Sequence, residues 1–151
     1  MDNREFDKIM EQTIELEKEA YEFYRNAAEK VTEPAVKQLF AEFASEQSLS
    51  KEQLEELKAN EVYDFDFNGA PDFKVSETVD SPRLSTDMKP LDAIALAMKK
   101  EEEAVKTYSS LATFTSDPEK QRLYHELAQI GEKRKARMEA LYTNAAFPEV
   151  W

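Results

Sequence analysis

Residues 17–24 read EKEAYEFY, and residues 101–108 read EEEAVKTY. In both stretches a glutamate is followed seven residues later by a tyrosine, a distance of about two turns of an α-helix. The stretches are offset by 84 residues, which is 101 minus 17. The same offset pairs Pro34 with Pro118, Phe40 with Tyr124, Ala44 with Ala128 and Leu57 with Leu141. A duplicated helical hairpin is the simplest explanation of this match.

Apolar residues recur at intervals of three and four along four segments, as expected for helices with one buried face. The pattern predicts helices at residues 5–31, 33–60, 90–115 and 117–143. Residues 61–89 break it and are predicted to form an extended crossover. Two aromatic segments, residues 63–67 and 147–151, either cover the bundle, which is the commoner use of such residues, or meet another subunit. Because the connections are short, long and short, we predict an all-α four-helix bundle of the ferritin-like type, with parallel second and third helices.

Length, charge and cysteine content limit what the protein can be. The 151 residues fit a single domain, predicted to span residues 1–151. A net charge of −12 argues against binding to nucleic acid, and no apolar run is long enough to predict a membrane span or a signal peptide. The absence of cysteine excludes disulfides, thiolate zinc sites and iron–sulfur clusters. We therefore expect a soluble, cytoplasmic protein.

Polar residues interrupt the core line of every helix near its midpoint. Glu17 and Glu101 occupy such positions in the first and third helices. In the second and fourth helices the matching residues are Gln47, Ser50, Gly131 and Arg134. Since the midpoints of an antiparallel bundle lie at one level, we predict a single polar layer in the core. Buried carboxylates are strongly unfavourable unless neutralised, so this layer must contain a cation or protons.

The chain resembles the rubrerythrin-like branch of the ferritin-like superfamily over nearly its whole length. The resemblance is carried by residues 17–24, by LFAEFA at residues 39–44 and by residues 100–108. It implies a bundle that binds two metal ions, usually iron, for peroxide reduction, oxygen chemistry or metal storage, and it implies a homodimer. By position, Glu17 and Glu101 match the family's single-glutamate ligands. Tyr24 and Tyr108 match the tyrosines that lie beside the metal ions.

The sequence also departs from the ligand pattern of this family. Where the family has Glu-x-x-His on the second and fourth helices, this chain has Gln47 with Ser50 and Gly131 with Arg134. The sole histidine, His125, directly follows a core tyrosine and is predicted to lie at the rim or surface. The resemblance therefore implies a degenerate di-metal centre.

Two functions follow from this degenerate ligand set. In the first, the protein is a non-catalytic binding or structural member of the family, and Arg134 neutralises Glu17 or Glu101. In the second, Glu17, Glu101 and Gln47 hold one divalent ion, such as iron, for storage or weak oxidase chemistry. Whether the protein is an enzyme therefore stays open, and the sequence predicts no substrate. Gly131 either leaves room for Arg134 or permits a close helix crossing. A helical adaptor unrelated to metal proteins would leave the polar layer unexplained.

Overall fold

In the computed structural model, residues 3–59 and 82–143 are described. This part of the chain forms four helices: α1 (Asn3–Lys30), α2 (Pro34–Ala59), α3 (Pro90–Phe114) and α4 (Pro118–Thr143). Each helix begins and ends within two residues of its predicted bounds. Most of the predicted crossover and both aromatic segments, residues 63–67 and 147–151, lie outside the described residues. None of the described helices is long and apolar enough to cross a membrane.

Proline and an acidic side chain start both α2 and α4. Pro34 and Pro118 are the first residues of these helices, where a missing backbone N–H costs nothing. The carboxylate of Glu33 accepts a hydrogen bond from the N–H of Val36 at 2.9 Å. Asp117 accepts one from the N–H of Glu119 at 3.0 Å. Local sequence thus ends one helix and begins the next, which folds each half of the chain into an antiparallel hairpin.

Two apolar clusters fill the bundle, one toward each end. The first contains buried side chains of all four helices, among them Phe23, Tyr24, Phe40, Phe43, Ile94 and Met138. The second contains Met10, Leu54, Tyr108, Leu111, Tyr124 and Leu127. The N-terminal halves of α2 and α3 both contribute to the first cluster, so these helices run parallel. The all-α, ferritin-like architecture predicted from the connections is confirmed.

Residues 82–89, named the strap here, form the described end of the crossover and pack on α1 and α3. Leu84 is buried, and its backbone N–H donates to the carboxylate of Glu19 at 2.5 Å. The same Glu19 oxygen accepts from Nζ of Lys100 at 2.5 Å. Arg83 pairs with Glu22 at 3.0 Å nearer the surface. The strap therefore packs along the bundle.

Candidate functional site

The six residues predicted to share a layer are all buried within the bundle. This set, named the polar layer, consists of Glu17, Gln47, Ser50, Glu101, Gly131 and Arg134. It lies between the two apolar clusters. Glu17, Gln47 and Glu101 line one cavity of about 30 Å³, together with Tyr24, Lys100 and Leu84 of the strap. The structure therefore brings the three predicted metal ligands to a common space.

Glu101 of α3 is bound by each of the other three helices. Its Oε1 atom accepts hydrogen bonds from the hydroxyl of Tyr24 at 2.9 Å, from Nε2 of Gln47 at 3.1 Å and from Nε of Arg134 at 2.8 Å. The donors come from α1, α2 and α4 in that order. One carboxylate oxygen thus joins the four helices at the centre of the bundle.

The two tyrosines predicted to lie beside the site form reciprocal contacts between the repeats. Tyr24 of α1 donates to Glu101 of α3, and Tyr108 of α3 donates to Glu17 of α1. Burial raises the pKa of both tyrosine hydroxyls well above its ordinary value, and the negative charge of the adjacent glutamate raises it further. Both hydroxyls therefore stay protonated and act as donors.

Arg134 is a buried cation with two carboxylate partners. Its side chain is only 4% exposed, and its Nε lies 2.8 Å from Glu101. Its Nη1 lies 3.0 Å from Glu46, whose side chain is 39% exposed at the edge of the bundle. Burial lowers the pKa of the guanidinium, but the charge of Glu101, the other neighbouring groups and the hydrogen bond to Glu101 together outweigh this effect, so the pKa is raised. The predicted ion pair is present, and its partner in the layer is Glu101.

Glu17 is less well satisfied than its repeat partner Glu101. Tyr108 donates to its Oε1, but Oε2 has no hydrogen-bond partner among residues 3–59 and 82–143. Oε1 of Gln47 likewise lacks a partner in this part of the chain. Burial raises the pKa of Glu17 to about 7, the nearby charge of Glu101 raises it as well, and the Tyr108 hydrogen bond and Arg134 oppose the rise. Near neutral pH this carboxyl group is therefore a mixture of protonated and ionised forms.

The small residues of the layer permit close packing. A Cβ atom on Gly131 would lie 2.8 Å from Cγ2 of Val105 and 3.4 Å from Oε2 of Glu101. This supports the interpretation of Gly131 as a site of close helix approach. The hydroxyl of Ser50 donates to the backbone carbonyl of Glu46 at 3.0 Å, so it is satisfied within α2.

Two acidic residues at the site, Glu19 and Glu46, were not predicted from the sequence. Glu19 pairs with Lys100 in a site where their side chains are 7% and 11% exposed. Lys100 corresponds to Leu16 at the 84-residue offset. A charged residue where the other repeat has an apolar one was the signal in the sequence that could have indicated this pair. Glu46, the outer partner of Arg134, has no comparable signal because it is a part-exposed glutamate on an acidic helix.

The side chains of the layer do not fit a two-metal ligand set. The described residues contain no group of three or more histidine, cysteine, aspartate and glutamate side chains able to hold a metal ion. Oε1 of Glu101, the best placed carboxylate oxygen, already accepts three donors. His125 is exposed, as predicted, and does not lie in the layer.

Comparison with models of protein families shows the family of this chain. The model of the rubrerythrin family matches residues 8–142, a range that includes all six residues of the polar layer. No curated protein and no solved structure matches the chain. Since the family match covers most of the 151 residues, the chain belongs to the rubrerythrin family, within the ferritin-like superfamily.

Proposed function

We propose that this protein is a non-catalytic binding or structural member of its family, in which the guanidinium of Arg134 takes the place of metal charge. The observation that carries the proposal is the buried ion pair between Arg134 and Glu101, with 2.8 Å between Nε and Oε1. A guanidinium keeps its charge in a core and needs no cofactor. Arg134 can therefore supply the positive charge that a buried carboxylate needs, without a metal ion.

Electrostatics supports this proposal. A divalent ion bound by Glu101 would lie close to the fixed positive charge of Arg134, and such repulsion is strong where water is excluded. It would also compete with three hydrogen-bond donors for the same carboxylate. Glu46 gives the second side of the guanidinium a partner at 3.0 Å, which holds Arg134 in place.

A second candidate is a reduced metal site for storage or weak oxidase chemistry. The observation that favours it is that Glu17, Gln47 and Glu101 line one cavity. These residues would supply two carboxylates and one amide oxygen, which are ligands that hard divalent ions accept. The proximity of Arg134 is the feature that argues against it.

Elemental analysis separates the two candidates. Protein purified without a metal-affinity tag is expected to contain no stoichiometric iron, manganese or zinc. Addition of Mn²⁺, or of Fe²⁺ without oxygen, is expected to leave the melting temperature unchanged. A stoichiometric transition metal that is lost in the Glu17→Gln variant would establish the reduced metal site instead.

The contribution of Arg134 is tested by its replacement with alanine. We expect Arg134→Ala to lower the free energy of unfolding by about 3–5 kcal/mol, because Glu101 then remains buried without its cation. Arg137→Ala is the control, since Arg137 pairs with Glu42 at the surface and its loss is expected to cost about 1 kcal/mol or less. Urea denaturation measures the free energy of unfolding of both variants. Unchanged stability of Arg134→Ala, together with a melting temperature raised by iron or manganese, would contradict the proposal.

We also propose a cytoplasmic location and a homodimer, both of which stay predictions. The family resemblance supports the dimer. Sedimentation equilibrium of the untagged protein tests it, with a mass of two chains as the expected result.

A further inference from the structure

The cavity beside Glu17 contains a combination of groups that the ion pair of Arg134 does not explain. Glu17 and Gln47 are 5% and 2% exposed, and both line the cavity. Each has one buried oxygen without a hydrogen-bond partner in the described part of the chain, Oε2 of Glu17 and Oε1 of Gln47. Nε2 of Gln47 donates to Glu101, so its Oε1 is fixed as an acceptor. Buried acceptors such as these require donors or a cation, and the cavity lined by both side chains is the space beside them.

The charges around this cavity favour a cation. The layer contains two carboxylates, Glu17 and Glu101, and one guanidinium, Arg134. The guanidinium is bound to Glu101, and among the described residues no cation is in contact with Glu17. Lys100 also lines the cavity, but its ammonium group lies 2.5 Å from Glu19. Among the buried groups of the layer, one further positive charge would balance the charge of Glu17. Glu46, the second partner of Arg134, is 39% exposed and is solvated at the edge of the bundle.

The geometry points to a binding site for one small monovalent cation, of the size of ammonium or potassium, between Glu17 and Gln47. The cavity of about 30 Å³ has room for one such ion, since a water molecule needs roughly 10–15 Å³. Ammonium would donate hydrogen bonds to both acceptors, and potassium would be coordinated by the same two oxygens. Tetramethylammonium is too large and has no N–H donor. The inference rests on the proposed function, because the charge count takes Arg134 as the cation of Glu101.

Thermal melting in different chloride salts tests the inference. The unaltered protein is melted at one ionic strength in mixtures of tetramethylammonium chloride with ammonium chloride or potassium chloride. We expect both small cations to raise the melting temperature, by roughly 3–5 °C for each tenfold increase in concentration above the Kd. ¹⁵N-ammonium observed by NMR is expected to show one bound ion per chain, and potassium is expected to displace it.

Glu17→Gln removes the unpaired charge and keeps the shape of the side chain. It is expected to abolish the response to ammonium and potassium. Glu102→Gln is the matched control, because Glu102 is an exposed neighbour of the layer that pairs with Lys106 and Lys135. It removes the same charge from the protein and is expected to keep the full response. If Glu17→Gln does not fold, Gln47→Leu provides the second test, with an expected loss of at least tenfold in affinity.

Three outcomes would overturn the inference. Equal melting temperatures in all three salts would show that the cavity takes only water. A full response in Glu17→Gln would place the cation elsewhere. Stoichiometric binding of Mn²⁺ that displaces ammonium would assign the cavity to a divalent ion, and only this outcome would also contradict the proposed function.

Discussion

Glu17 and Glu101 are equivalent in the repeat but have different surroundings. Glu101 has a tyrosine, an amide and a guanidinium as donors, whereas Glu17 has Tyr108. The difference arises because Arg134 of the second half corresponds to Ser50 of the first half, which has no charge to offer. A duplicated layer with one arginine therefore has one neutralised glutamate and one with a raised pKa.

The raised pKa of Glu17 predicts a pH-dependent effect of Glu17→Gln. The pKa of Glu17 is raised from 4.5 to about 7 in the folded protein, so the folded state binds this proton more tightly than the unfolded state. The resulting stabilisation is complete below pH 4.5 and is lost as the pH rises through 7. The loss amounts to about 3 kcal/mol. Because glutamine resembles the protonated form, the variant is expected to match the unaltered protein at pH 4.5 and to exceed it by about 3 kcal/mol at pH 8.

Urea denaturation between pH 4.5 and 8 in tetramethylammonium buffers measures this difference. Other carboxylates titrate in both proteins, so subtraction of the two profiles isolates Glu17. A difference in stability that does not change with pH would show that Glu17 does not titrate in this range.

Gly131 provides a second prediction for a single residue. Gly131→Ala is expected to destabilise the protein by about 1–3 kcal/mol, because the new methyl group would lie 2.8 Å from Cγ2 of Val105. This occurs although alanine favours helices by up to about 1 kcal/mol over glycine. Val105→Ala in the same chain should recover much of the loss. Independent, additive effects of the two changes in urea denaturation would contradict the steric explanation.

At the scale of secondary structure, the strap breaks the symmetry of the two hairpins. A single crossover connects them, and its end packs beside Glu19 of α1 and Lys100 of α3. The repeat positions of these residues carry Glu103 and Leu16, so the second half has no equivalent ion pair. Glu19 thus holds the strap next to the cavity that Leu84 lines.

Glu19→Gln is expected to loosen the strap. It replaces a charged acceptor of Lys100 and Leu84 by a neutral one, at a cost of about 1–3 kcal/mol. Hydrogen exchange of the Leu84 amide should become faster by a larger factor than exchange in the core of α1. Glu22→Gln is the control, because its pair with Arg83 is exposed and its loss is expected to leave this amide unaffected. Equal exchange rates in both variants would contradict the role of Glu19.

At the scale of the whole molecule, the polar layer joins the two hairpins. Most close contacts between helices lie within the hairpins α1–α2 and α3–α4. The layer adds bonds across this division, since Glu101 of α3 is bound by Tyr24 of α1 and Gln47 of α2. Separation of the hairpins would leave these polar groups without their partners. The repeat therefore does not produce two independent units.

We expect the protein to unfold in one cooperative transition. Far-UV circular dichroism and hydrogen exchange measured separately for α1 and α3 should give the same free energy of unfolding, because neither hairpin keeps a satisfied core alone. Much weaker protection of α1 than of α3 would show that the hairpins unfold independently and that the layer contributes little.

The sequence by itself determined the helices, their order and the level of the polar layer. These features depend on local patterns: apolar residues at intervals of three and four, prolines at the starts of α2 and α4, and polar residues at matching positions of the repeat. The length of the connections was sufficient to predict the parallel arrangement of α2 and α3. The family resemblance was visible in the same stretches of sequence, and the family model matches residues 8–142.

Only the tertiary structure decided which groups of the layer contact each other. Arg134 could reach either glutamate from its position in the sequence, and the rotation of α4 against α3 placed its Nε at Oε1 of Glu101. The same rotation left Glu17 with a raised pKa and brought Gly131 against Val105. The role of Glu19 depended on the path of the strap, which residue spacing does not specify. The spacing of residues along a helix determines which face a side chain occupies. Which side chains come within hydrogen-bonding distance, about 3 Å, depends on how the helices pack.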